Sequence, residues 1–175
     1  MLRALAFGTL LVGCLTVSAP CDATSLKDVK VGVRIFDFVS NLPHGKTDLG
    51  IIYDPQRRDS VDDAQSILNW FTSGAVDNRM GLVPELVDVR RLGEVPGLRA
   101  AIVASSLEGY FDLILDYARK NGTLTISSDL ACVRDGKCSV GVSSQPRVEV
   151  VVSQKASLSC GIQFSEAFRM MVTEY

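Results

Sequence analysis

Apolar positions along this chain recur with two periods, about two and about three and a half residues, and the switches between them mark its elements. Leu26 to Leu42 fits both periods. Val29, Val31, Val33 and Ile35 alternate as in a strand, whereas Val31, Ile35, Phe38, Val39 and Leu42 share one helical face. Length favours a helix that ends at Asn41 and Pro43. Asp48 to Tyr53 reads as a short apolar strand closed by Asp54-Pro55. Ser60 opens the next helix, with Asp63 in capping-box position; Ala64, Ile67, Leu68 and Phe71 give its buried face and Trp70 its edge. Thr72-Ser73-Gly74 stops it, and residues 75 to 82 form a loop. Pro84 to Leu92 and Arg99 to Ala104 are the next strands, the second too apolar to be an exposed edge. Leu107 to Lys120 is a helix with Phe111, Ile114, Leu115 and Ala118 on one side and Asn121-Gly122 as its C-cap.

Thr123 to Ser127 is a fourth strand, and it leads into a cysteine-bracketed loop between Cys132 and Cys138. A hairpin follows, SVGV and RVEVVV around a turn at Gln145-Pro146. After a polar segment, Ser153 to Ser159, comes Gly161-Ile162 and a terminal helix from Ser165, its N-cap, to Val172. Strands alternating with helices predict a three-layer α/β sandwich with a mostly parallel sheet, a C-terminal β-hairpin and a terminal helix. Such sheets bind ligands at the carboxyl ends of their strands. Asp54, Ser105, Ser106, Ser128 and Asp129 fall there, which makes them candidates for a small polar ligand. The plainer reading of the same residues is turn and cap positions.

The amino terminus changes the setting. Met1-Leu2-Arg3 is a short basic start, Ala4 to Val17 is apolar, and small residues follow. This reads as a secretory signal peptide cut after Ala23, leaving residues 24–175 as one exported, periplasmic α/β domain. Leu11-Val12-Gly13-Cys14 resembles a lipobox and offers a lipoprotein as the lesser alternative. Loss of residues 1–23 removes Arg3 and Asp22, so the net charge of −2 is unchanged. A near-neutral chain without a basic run gives no reason to expect nucleic acid or a lipid surface.

In an oxidising compartment Cys132 and Cys138 are the expected disulfide, across a turn at Asp135-Gly136. Cys160 reads most simply as a buried small hydrophobe, although an odd thiol also leaves room for a homodimer bridged between chains. The single histidine, His44, lies far from the cysteines and beside Gly45, as a loop residue does, so no metal site is expected. There is no G-x-S-x-G elbow, no G-x-G-x-x-G and no phosphate-cradling loop. An enzyme is not expected, nor a cofactor.

Val148 to Val152, Ala156, Gly161-Ile162, Ser165 and Phe168 form a strand, a Gly-hydrophobe step and a Ser-led helix. With Phe38 to Pro43 near the start, this order resembles the YfiR/HmsC family of periplasmic proteins. The chain departs from that family at Asp135-Gly136-Lys137-Cys138, where a Gly-Gly turn is usual, and at Leu42-Pro43, where Trp-Pro is usual. The resemblance implies a repressor that binds the periplasmic part of an inner-membrane diguanylate cyclase, or a sensor kinase in an equivalent role. The terminal helices are then the expected contact surface, through Phe36, Phe38, Phe168, Met170 and Met171. Neighbouring helical positions diverge by about 100°, so Phe168, Met170 and Met171 cannot all be buried. The stretch from Gly50 to Leu68 also looks like the opening of periplasmic ABC-transporter substrate-binding proteins, whose second lobe this chain lacks. That makes a small-ligand-binding component the alternative.

Overall fold

The computed structural model describes residues 23–41 and 45–175. The leader over residues 1–22, its lipobox at Cys14, and Leu42, Pro43 and His44 lie outside the described residues. Among those described, seven strands form one sheet in the order β2-β1-β3-β4-β5-β6-β7. The strands are β1 (Thr47–Tyr53), β2 (Leu82–Asp88), β3 (Ala100–Val103), β4 (Leu124–Ser127), β5 (Val140–Ser143), β6 (Glu149–Val152) and β7 (Thr173–Glu174). From β2 to β5 every pairing is parallel; β6 is antiparallel to β5, and β7 runs parallel to β6.

Helices cover both faces, as the three-layer reading requires. On one face α1 (Leu26–Ile35) and α2 (Arg58–Thr72) bury Val29, Val33, Ala64, Ile67 and Phe71 against Leu49, Ile51, Ile102 and Ile126. On the other, Ile114 and Tyr117 of α3 (Phe111–Asn121) and Cys132 and Val133 of α4 (Leu130–Arg134) pack with Ile52, Ala101, Val103 and Val151. The central strands β3 and β4 are buried on both faces, which is why β3 reads as an unbroken apolar run. Gly50 marks the tightest contact in β1: a Cβ there would lie 2.4 Å from Leu98 Cδ1.

Several boundaries differ from the sequence reading, each for a tertiary reason. The first helix stops at Ile35 rather than near Leu42. Phe36–Phe38 turn as a 3-10 helix, and Val39 is drawn out to bridge Phe164, with Ser165 N donating to Phe38 O. The second helix begins at Arg58, so Ser60 is not its cap; Ser60 Oγ instead accepts a bond from Asp54 N at 3.1 Å. The second strand starts at Leu82 and ends at Asp88. Val89–Glu94 turn as a 3-10 helix because Asp88 caps Arg90 N, and i, i+3 spacing buries both Val89 and Leu92 completely. Pro84 is tolerated because β2 is an edge strand.

A helix, α4, capped by Asp129, runs into the cysteine-bracketed loop. The polar segment after the hairpin is also helical, α5 (Gln154–Ser159), with Ser153 Oγ accepting from Ala156 N. The expected terminal helix is short, α6 (Glu166–Arg169), because the chain leaves it to form β7. There Tyr175 N donates to Val152 O and Gln154 N to Tyr175 O. The hairpin between β5 and β6 forms as expected, with a cis Gln145–Pro146 bond in its turn.

Candidate functional site at the carboxyl ends of the strands

The connection from β1 through α2 runs over one face to β2, and that from β3 through α3 runs over the other face to β4. Strand order therefore reverses between β1 and β3, the place where open α/β sheets form a crevice. Its walls are built from residues at or just beyond the strand ends.

Asp54 leaves β1 almost fully buried, 3% exposed. Its Oδ1 accepts from Gln56 N and from Arg90 Nη2, both at 2.9 Å, and Arg90 Nε donates to Tyr110 Oη at 3.3 Å. Asp54 is thus satisfied by an ion pair on the α3 face. Ser105 and Ser106 leave β3, and both are buried. Ser106 has a φ of +63°, the left-handed region that a side chain seldom occupies and that tends to occur at functional turns. Asp129 Oδ1 accepts from Ala131 N at 2.8 Å, so that candidate is the cap of α4, as the plainer reading had it.

The centre of the crevice is Asp63, whose sequence position suggests only a capping-box partner. Asp63, on the inner face of α2 and 4% exposed, accepts from Ser105 N at 2.7 Å through Oδ2. Thr24 N donates to its Oδ1, and Thr24 Oγ1 to its Oδ2, each at 2.9 Å. Thr24 Oγ1 also lies 2.9 Å from Ser128 Oγ, which ties that candidate to the network. Burial pushes the Asp63 carboxyl above the usual carboxylate range, and the bonds from Ser105 and Thr24 oppose that shift. The signal was present in the sequence, since Asp63 stands four residues before Ile67 on the apolar stripe. Next to it, Ser25 and Asp28 form a capping box for α1, and Ser25 Oγ lies 3.0 Å from Ser144 Oγ beyond β5. Residues 24 and 25 therefore lie across the carboxyl ends of β3, β4 and β5.

Beside this network opens a cavity of about 290 Å³ lined by Thr24, Asp59, Asp62, Asp63, Trp70 and Ser105, among others. Asp59 and Asp62 are exposed and Trp70 is half-buried. A larger cavity, about 670 Å³, lies at the opposite end of the sheet, between the end of α1 and the segment after α2. Its rim mixes Lys30, Arg34 and Arg79 with Asp37 and Asp77, and Arg79 is already paired to Asp77 at 2.7 Å. We place the site in the smaller one, because the buried polar groups Thr24, Asp63 and Ser105 line it.

The expected partner surface is corrected in part. Phe36 and Phe168 are core residues, 2% and 4% exposed, and half-buried Phe38 stacks on Phe168 with ring centroids 5.1 Å apart. None of these three is an open contact residue. Met170 and Met171 are exposed, at 82% and 65%, as the helical spacing demands. Cys132 and Cys138 form the disulfide, with Cα atoms 5.3 Å apart. Cys160 is free and buried, and burial pushes its thiol pKa up. An interchain bridge through Cys160 therefore does not fit the folded chain.

No family model matches this chain, and no curated protein matches it. Among the described residues no helix is long and apolar enough to cross a membrane. Solved structures do share the fold. An ABC domain from Streptococcus pneumonia in complex with L-Trp is 13% identical with a TM-score of 0.59, over 81% of this chain and 58% of that one. A conserved domain protein from Vibrio cholerae O1 biovar eltor is 12% identical with a TM-score of 0.58, over 85% and 59%. The ligand-free, open structure of a substrate binding protein with adhesive properties from Clostridium difficile is 10% identical with a TM-score of 0.56, over 74% and 54%. This chain thus spans 54–59% of the length of these structures. The likeness is one of fold: a mostly parallel α/β sheet with helices on both sides.

Proposed function

We propose that this chain is an exported protein that binds a small polar ligand at the carboxyl ends of β1 and β3. The observation that carries this reading is the 290 Å³ cavity at the switch point, where Asp59, Asp62 and Trp70 stand beside the Asp63–Ser105 network. Two exposed carboxylates and an aromatic ring favour a ligand with a positive charge, such as a small amine, held by charge and by the face of the indole. Burying the carboxylates' partner in a site of this size gives orientation through Ser105 and Thr24 rather than large apolar contact. One structural neighbour holds L-Trp and another is a substrate binding protein, which supports a small-molecule ligand here.

Trp70 is the only tryptophan in the chain, so its emission reports on the cavity directly. Titration of the exported protein with a panel of small amines and amino acids should give a saturable change in Trp70 emission and a raised melting temperature. Asp62→Ala should weaken that binding by several-fold while leaving the fold unchanged. A panel that moves neither signal, or a shift untouched by Asp59→Ala and Asp62→Ala, would sink the reading.

A second reading, a regulator that docks on a membrane diguanylate cyclase or sensor kinase, is motivated by a different observation. Leu158, Met170 and Met171 are exposed at 76%, 82% and 65% around the last elements, and methionine adapts well to partner surfaces. Under this hypothesis deletion of the gene raises cyclic di-GMP, and a Met170→Asp protein folds but does not restore the low level. Unchanged cyclic di-GMP in the deletion would defeat it.

A further inference from the structure

A peptide N–H occupies the place where Asp63 would take a cation. Thr24 N donates to Asp63 Oδ1 at 2.9 Å, with Thr24 7% exposed and Asp63 4% exposed. The other donors to that carboxylate, Thr24 Oγ1 and Ser105 N, are neutral as well. Asp63 enters none of the ion pairs among the described residues. A carboxylate buried among neutral donors keeps an unbalanced charge, and in proteins such charges are nearly always paired. The chemistry that would supply the missing charge lies one bond away.

We propose that hydrolysis of the Ala23–Thr24 peptide bond converts the Thr24 nitrogen into the counter-ion of Asp63, so that removal of the leader locks residues 24 and 25 over the strand ends. Water adds across the bond: its hydroxyl goes to the Ala23 carbonyl carbon, which departs as a carboxylate, and the Thr24 nitrogen takes up protons to become an ammonium. An endopeptidase acting on the unfolded precursor makes the cut, and docking follows. The sequence Cys21-Asp22-Ala23 places small residues third and first before the bond, as leader peptidases require.

The geometry suits the change. Ala23 is exposed while Thr24 is buried, so the bond to be cut lies at the surface and the Thr24 nitrogen can stay where it already sits. An ammonium has three N–H donors, one to keep the bond to Oδ1 and two directed to the cavity lined by Asp59 and Asp62. The nitrogen cannot wander, because α1 begins at Leu26 and its capping box holds Ser25. The positive end of the α1 dipole opposes the new charge, a smaller effect that Asp28 in the first turn offsets. The processed chain thereby gains a buried ion pair where the precursor has a neutral hydrogen bond, and the cavity wall is firm only after processing.

The test needs no ligand, so its failure is distinct from failure of the binding reading. The full chain, exported and purified, should begin at Thr24 by intact mass; a different first residue overturns the proposal. The Thr24 protein should melt at least about 5 °C above the same protein acetylated on its α-amino group, the scale expected for loss of a buried pair in a chain of this size. Equal melting of the two overturns it. In Asp63→Asn the effect of acetylation should vanish, and its persistence at full size would assign the effect to something other than Asp63. If Asp63→Asn does not fold, the mass and acetylation results decide between the two outcomes by themselves.

Discussion

The parallel half of the sheet and the hairpin half are closed in opposite ways. At the carboxyl ends of β1, β3 and β4, polar groups are buried and held by partners far away in sequence: Thr24 with Asp63, Asp63 with Ser105, Thr24 with Ser128. Around β5, β6 and β7 short-range ties are added to long-range ones such as Ser165 N to Phe38 O. A disulfide spans Cys132 and Cys138, six residues apart, and α4 lies against β5 and β6. Apolar side chains at that edge face outward, Met170 and Met171 among them. A buried polar network is costly to leave unsatisfied and so fixes one arrangement, which suits a site for a small ligand. An edge with exposed apolar side chains has an outer surface open to a partner.

Breaking the first region should have the larger effect. Asp63→Ala leaves buried N–H groups of Thr24 and Ser105 without an acceptor, and should lower unfolding stability by about 2–4 kcal/mol, read from the urea midpoint. The same carboxyl gives a pH signature. In the chain that still carries Ala23, its pKa is raised by burial, so the stability it contributes is present at acid pH and is lost as pH rises through the raised value. The charged groups nearest on the packed elements are Asp28, Asp59 and Asp62 with Arg58, which is paired to Asp62 at 3.5 Å, so burial sets the direction and the hydrogen bonds from Ser105 and Thr24 oppose it. Melting curves of that chain and its Asp63→Asn variant should therefore converge at low pH, with the variant gaining relative stability above it. The reverse trend would show that the carboxylate is held charged by another group.

In the hairpin half Gly141→Ala is the sharper probe. A Cβ at Gly141 would lie 2.8 Å from Leu130 and Val151 and 2.9 Å from Val133, so α4 must shift, at about 1–3 kcal/mol. Replacing Cys132 and Cys138 together by Ala should cost about 2 kcal/mol, the value for so short a closed loop, while Cys160 stays unreactive to alkylation until the protein unfolds. The smallest effect belongs to Met170→Asp, within about 0.5 kcal/mol of the parent because the side chain is 82% exposed. A large loss there would mean that the edge is not an open surface, and the contrast between the two halves would fail.

Much of this architecture was legible from local chemistry. The runs at Asp48 to Tyr53, Arg99 to Ala104 and Thr123 to Ser127 read as strands, the second too apolar for an exposed edge, and they became β1, β3 and β4. Gly122, at a φ of +64°, ends α3 because a left-handed C-cap favours glycine. The Cys132–Cys138 pair was legible from spacing about a turn. The same reasoning identified the ends of the strands as the place to look, and put Ser105 there.

The rest depended on contacts that no local pattern encodes. Phe36 and Phe168 look alike as exposed or buried aromatics on short helices; only the packing of α1 and α6 against the sheet made them core. Short apolar and polar runs near the end were divided among α5, α6 and β7 by backbone bonds to Val152 and, far away in the chain, to Phe38 and Ser40. Asp63 is the clearest case. A carboxylate three residues after a serine at a helix start satisfies a capping rule in isolation, yet burial and the arrival of Thr24, 39 positions earlier, gave it a different role. Sequence alone determined the alternation of strands and helices, because that follows from each segment's own apolar period. Tertiary structure alone decided which polar groups share the crevice, because a buried carboxylate takes its meaning from the donors that the fold brings to it.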